Sequence, residues 1–272
     1  MKISTSIAPQ AFFVKQIGGD LVSVDYLIPV AASPATYSPT PRQLVNLLSS
    51  SIYVRVGHPN FIFESVHIDP LLANSDNIAV ITMWNPDEME ISWSHTTVDA
   101  ESEYSNSGGL TDPHIWISPN TVRLAVSEIA DQLMQIDPAN KEIYQNNSDL
   151  FMKKINQLDQ DIQKLLKNFE FRKFMVYHPV WGYFARYYNL EQIAIELDGK
   201  EPSPTQLIKM IKLAKANNIK VIFVQQGFSR RSARIIAQET AGEVVELNPL
   251  AYDWLKNMRL VAQVFEKVLN NE

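Results

Sequence analysis

The chain of 272 residues contains no cysteine. That excludes disulfide staples, thiolate nucleophiles and thiolate metal sites, but it does not fix a compartment. Glycine is scarce, with 9 residues against 15 prolines, and no Gly-rich phosphate loop is found. Neither a G-x-S-x-G elbow nor an H-E-x-x-H pair occurs, which removes the commonest signatures of serine hydrolases and zinc proteases. Basic charge is also short, with 24 Lys and Arg facing 30 Asp and Glu for a formal net charge of −6. A nucleic-acid backbone needs clustered cations, so no nucleic-acid partner is expected. No apolar run approaches the ~18 residues of a membrane-spanning helix. No secretory leader is recognisable, because the opening "MKISTSIAP" already reads as a strand.

What remains is ordinary globular composition, 46% hydrophobic and 20% charged, in a length that suits two modest domains. Short β-branched runs at 21–28, 51–57 and 77–82 read as strands, with helix-like pieces at 10–17, 41–48 and 61–71 around them. Pro41 opens one helix at a position where a missing N–H costs nothing. Such alternation implies a largely parallel sheet with helices on both faces. Residues 85–112 carry few apolar groups and many acids, and read as a long surface loop. Helical periodicity resumes at 119–134. From Pro138 to Phe169 apolar residues recur at three- and four-residue spacings without internal Pro or Gly. This predicts a single stiff helix of about 30 residues, about 45 Å long. Beyond it "KFMVY", "EQIAIEL", "KVIFV" and "EVVEL" alternate with helices, among them 204–216, 229–240 and 252–269. The expected fold is α/β: two parallel-sheet lobes, 1–137 and 169–272, joined by a rigid helix at 138–168, with a cleft between the lobes.

Five histidines are available: His58, His67, His95, His114 and His178. His58 and His178 share a local pattern, a strand followed by His-Pro and an aromatic-rich stretch. In open parallel sheets, ligands bind just beyond the carboxyl ends of strands. His-Pro ends a strand sharply, because proline cannot donate to the ladder. His114 stands in "DPHIWISP", held between prolines at the start of another helix. A lone histidine beside an aromatic is usually a packed, hydrogen-bonded residue. Three at the ends of elements, with no cysteine competing, suit a borderline cation such as zinc. His67 falls inside an apolar helix pattern and reads as structural, and His95 begins the acidic loop. A metal-activated water on three histidines keeps a hydrolase open as a distant alternative.

These residues resemble, nearly end to end, the zinc and manganese receptors (cluster A-I substrate-binding proteins) of bacterial ABC importers. "TSIAPQAFFVKQIGGDLVSVDYLIP" is similar to the mature start of that family, and "SPATYSPTPRQL" to its P-H-x-Y-x-P-x-P segment. "DPHIWISP" matches D-P-H-x-W-x-x-P, and "YHPVWGYFA" matches His-Pro-x-Trp-x-Tyr-Phe. "GKEPSPTQL" and "LNPLAYDW" correspond to later signatures. The resemblance implies a binding protein without catalytic activity, periplasmic or lipid-anchored, monomeric, that captures a divalent metal for a membrane permease. Two positions depart from the pattern. The family's first metal histidine falls on Ala35, and its terminal aspartate on Asn248. His114 and His178 carry over directly. His58 is the expected replacement ligand and the Gln226 side chain, or water, the fourth. Loss of the aspartate removes a hard oxygen donor, so Zn(2+) is expected ahead of Mn(2+). A receptor that has lost metal and serves another ligand is the alternative.

Overall fold

Two four-stranded sheets, each wholly parallel, carry the strands in the same pattern. The structure is a computed structural model that describes residues 1–75, 77–86, 112–167, 172–196 and 200–270. The first sheet contains β1 (Lys2–Ile7), β2 (Ser23–Ile28), β3 (Ile52–Arg55) and β4 (Ala79–Thr82), in the order β2-β1-β3-β4. The second contains β5 (Lys173–Val176), β6 (Glu191–Ala194), β7 (Val221–Gln225) and β8 (Glu243–Leu247), in the order β6-β5-β7-β8. In both, the chain steps to one side and then crosses to the other. That reversal opens a crevice beyond the carboxyl ends of the first and third strands, where α/β proteins bind ligands.

The helices are α1 (Ala8–Gly18), α2 (Pro41–Leu48), α3 (Asp69–Leu72), α4 (Pro119–Ile136), α5 (Lys141–Leu166), α6 (Gly182–Tyr187), α7 (Pro204–Ala216), α8 (Arg231–Glu239) and α9 (Trp254–Asn270). The long helix expected at 138–168 begins later than its periodicity suggests. Pro138–Asn140 form a 3-10 turn, and α5 then runs for 26 residues, about 39 Å. Asp137 fixes this start by accepting from Asn140 Nδ2 at 2.8 Å and from the Tyr144 hydroxyl at 2.7 Å. Phe151, Ile155, Leu158, Ile162 and Leu166 form its buried stripe, spaced by three and four residues as an amphipathic helix requires.

Residues 61–71 depart from a plain helix. Glu64–Ile68 form a π-turn in which the Asp69 N–H reaches back to the Glu64 carbonyl. Pro70 has no N–H to continue the ordinary ladder, so a wider turn is tolerated there. Of the loop expected at 85–112, residues 87–111, which include His95, Asp99, Glu101 and Glu103, lie outside the described residues.

One apolar cluster crosses the whole molecule. It runs from Ile3 of β1 and Phe13 of α1 through Phe151 of α5 to Trp254 and Phe265 of α9, then to Phe174 and Phe223 of the second sheet. Phe13 meets Trp254 edge-on at 5.5 Å, and Phe265 meets Phe174 at 4.7 Å. A smaller cluster (Met175, Ile193, Ile222, Met210, Ile236) lies beneath α7 and α8. Each fully buried aromatic is worth about 2–3 kcal/mol, so parting the sheets by a wide hinge would be costly. Small relative tilts are the motion this packing allows.

Candidate metal site

Strand register builds half of the site. Val176 of β5 pairs with Ala194 of β6, and with Phe223 of β7. Two residues beyond each, on the same side of the pleat, come His178, Glu196 and Gln225. His178 Nδ1 meets Glu196 Oε1 at 2.5 Å, and Glu196 is only 5% exposed. Gln225 clamps the histidine backbone, donating Nε2 to the His178 carbonyl at 2.7 Å and accepting from its N–H at 3.4 Å. Phe228 stacks on the ring, with centroids 5.0 Å apart and planes 13° from parallel.

The other half comes from the segment before α4. The buried Asp112 carboxylate accepts both the His114 backbone N–H at 2.9 Å and its Nδ1 at 2.6 Å through one oxygen. Pro113, between them, removes a backbone donor and fixes φ, which suits so short a loop. The Tyr183 hydroxyl of α6 donates to the Asp112 carbonyl at 3.1 Å. Burial, and then the charge of Asp112, push that phenol well above its ordinary pKa, so it stays a donor. Trp116 lies edge-on to His114 at 5.3 Å. Its indole donates to the Pro249 carbonyl at 2.9 Å, while the Trp254 indole donates to the Trp116 carbonyl at 2.6 Å. The segment is thereby pinned to the second lobe.

His114 Nε2 and His178 Nε2 face each other at 3.4 Å. With each Nδ1 on a carboxylate, the hydrogen bonding selects the Nδ1–H tautomer and leaves the Nε2 lone pairs converging. Two bare lone pairs at that separation repel unless a proton or cation stands between them. Two nitrogens each about 2.0–2.1 Å from a tetrahedral zinc stand about 3.3–3.4 Å apart. The pair therefore has the spacing of two ligands on one ion.

The other two expected ligands are not gathered here. His58 is buried at 3% exposure, with its ring edge-on to Trp84 at 4.5 Å. Its Nδ1 accepts the Asn60 N–H at 3.0 Å, which puts the proton of the neutral ring on Nε2. This is the opposite tautomer to that of His114 and His178. Among the described residues, no group of three or more His, Asp or Glu side chains is placed to hold an ion. Gln226 is exposed in the turn just beyond β7, whose residues Val221–Gln225 are all buried. Ala35 lies exposed in the loop after β2. Asn248 is occupied in a turn, its Oδ1 accepting the Leu250 N–H at 2.9 Å. Gly227, at φ +88°, brings the β7 loop against the loop before Ala35. A Cβ there would lie 2.8 Å from the Ala31 carbonyl oxygen.

Sequence reasoning missed Asp112, Glu196 and Gln225. Asp112 was legible in the D-P-H triplet itself. Glu196 and Gln225 become visible only once the register of the second sheet is known.

A sequence profile of the family described as "Zinc-uptake complex component A periplasmic" matches residues 3–268. The chain belongs to this family. It is therefore a substrate-binding protein of zinc uptake by ABC importers, not an enzyme, in a family of periplasmic proteins and lipoproteins. Among its relatives, the high-affinity zinc uptake system protein ZnuA of Bacillus subtilis (strain 168) is 29% identical over 92% of this chain and 78% of its own length. The zinc-binding lipoprotein AdcA of Streptococcus pneumoniae (strain R6) is 26% identical over 92% of this chain, which spans only 50% of AdcA. A crystal structure of ZnuA, 37% identical, superposes with a TM-score of 0.87 over 99% of both chains. A zinc-bound deletion mutant of ZnuA gives 0.86, also at 37% identity, covering 100% of this chain and 99% of that one. No helix among the described residues is long and apolar enough to cross a membrane.

Proposed function

We propose that this zinc-uptake receptor holds one zinc ion between its lobes on the Nε2 atoms of His114 and His178, and presents it as a monomer to a membrane permease. The observation that carries the reading is the 3.4 Å separation of the two nitrogens, each backed by a buried carboxylate. In this reading His58 and Gln226 are not ligands of the ion. Water or small solutes complete the four positions, with Ala35 and Asn248 unable to supply the donors of the usual pattern. Neutral imidazoles favour zinc over manganese, which prefers oxygen. Because the ion joins residues of opposite lobes, it draws them together. A permease reads loading through that difference, since a ligand shifts a conformational equilibrium only by its differential affinity.

The test is calorimetric titration of chelator-stripped protein with zinc and with manganese, in parallel with His114→Ala and His178→Ala. One zinc per chain, weaker manganese binding and loss in both variants are expected. No zinc binding at micromolar concentration would overturn the reading, and would leave a receptor that has exchanged metal for another ligand.

A further inference from the structure

Each histidine of the pair is followed, nine residues later, by a side chain tied to the same acid. Arg123, the fifth residue of α4, lies nine residues beyond His114, and Tyr187, the last residue of α6, nine beyond His178. Both reach Asp159 of α5. Arg123 Nη1 donates to Oδ2 at 3.1 Å and the Tyr187 hydroxyl donates to the same oxygen at 2.9 Å. Oδ1 accepts the Tyr188 hydroxyl at 2.9 Å and Gln163 Nε2 at 3.2 Å. Arg123 Nη2 also donates to the Tyr187 oxygen at 3.1 Å, closing the triangle. Asp159 is 7% exposed, and a carboxylate so placed persists only when its lone pairs are well filled.

The links from this acid to the histidines are stiff. Between His114 and Arg123 lies the 3-10 turn Ile115–Ile117, held by the Thr121 hydroxyl, which donates to the Ile115 carbonyl and, at 3.0 Å, to that of Ser118. Between His178 and Tyr187, the Val180 N–H donates to the His178 carbonyl at 2.8 Å and the Ala185 N–H to that of Trp181 at 2.8 Å.

We propose that Asp159 is a positioning residue for the metal site: by binding the start of α4 and the end of α6 to one rigid helix, it sets the distance between His114 and His178 across the cleft. The proposal rests on the metal-binding reading of that pair. A merely structural network would hold three helices together and leave the ligand spacing to local contacts.

A double-mutant cycle separates the two. Zinc affinity, measured by chelator competition, and the cobalt(II) absorption spectrum are compared for the parent, Arg123→Met, Tyr187→Phe, the double variant and Asp159→Asn. Each single change should weaken zinc by about tenfold. The double should be no weaker than the worse single, because both arms act through one carboxylate. Asp159→Asn should match the double and alter the cobalt band. Parental affinity with lowered melting points, or additive losses, would overturn the proposal. A metal-independent arm uses spin labels on Val45→Cys and Lys212→Cys, both at exposed positions in a chain without cysteine. Asp159→Asn should broaden the interlobe distance distribution, and an unchanged distribution would sink the idea whether or not zinc binds. Parent protein that binds no zinc, together with a broadened distribution, would reject the metal reading and keep the hinge role of Asp159.

Discussion

The two lobes repeat one motif in different surroundings. Each ends a strand with His-Pro, at residues 58–59 after β3 and 178–179 after β5. In the second lobe the imidazole donates its Nδ1–H to buried Glu196 and turns a lone pair to the cleft. In the first, Nδ1 accepts a backbone N–H and the ring packs on Trp84. β6 delivers a carboxylate beside His178, and Glu64, close to the end of β3, binds the backbone there. It accepts Val56 N–H at 2.7 Å, Gly57 N–H at 2.8 Å and the Ser6 hydroxyl. The two rings thus turn opposite nitrogens to their printed partners, Nδ1 to Glu196 as a donor in one and Nδ1 to the Asn60 N–H as an acceptor in the other.

The sharpest way to break that contrast is to truncate both imidazoles. His178→Ala should weaken zinc by at least about a hundredfold, since it removes a ligand where an outer partner alone is worth 10–100-fold. His58→Ala should change affinity by no more than about threefold, within the range of indirect effects. Equal losses measured by calorimetry would restore His58 to the coordination sphere. Next in size, Glu196→Leu should cost about 10–100-fold in zinc affinity, because it frees the tautomer of His178 while leaving the ligand in place.

A gain is expected from the opposite operation. Ala35→His places an imidazole where the family pattern has one, in the loop that touches Gly227. It should tighten zinc by about tenfold, that is about 1.4 kcal/mol. No gain would mean that the 29–40 loop is turned away from the ion in solution.

Much of this contrast was hidden in the sequence. The parallel sheets, the long helix and the His114–His178 pair follow from periodicity and from element-end histidines, because these are local patterns. His58 and His178 look alike by the same local rule, and only pairing between strands distant in sequence separates them. The two glutamines at 225 and 226 pose a related problem. They look alike in the sequence, and only the sheet register sets Gln225 against the His178 backbone. The π-turn at Glu64–Ile68 was equally invisible, since it serves an acid that folds back onto the preceding strand.

The smallest expected effect tests that acid. Burial raises the Glu64 pKa above the ordinary carboxylate value, outweighing the Ser6 hydroxyl, the Gly57 and Val56 N–H groups and the more distant Arg55 charge. The folded-state value lies above the unfolded one, so its contribution to stability is complete below the unfolded pKa of about 4.3. That contribution is lost as pH rises through the folded value. Glutamine does not titrate. The stability of Glu64→Gln relative to the parent should therefore improve with rising pH, read as a shift in urea midpoint between pH 4.5 and pH 8. Zinc affinity should hardly move, because the acid serves the backbone beside His58 and not the pair across the cleft. A difference that ran the other way with pH would show Glu64 to be held as an anion by its three donors and Arg55, making the first lobe's carboxylate as firmly ionised as any on the surface.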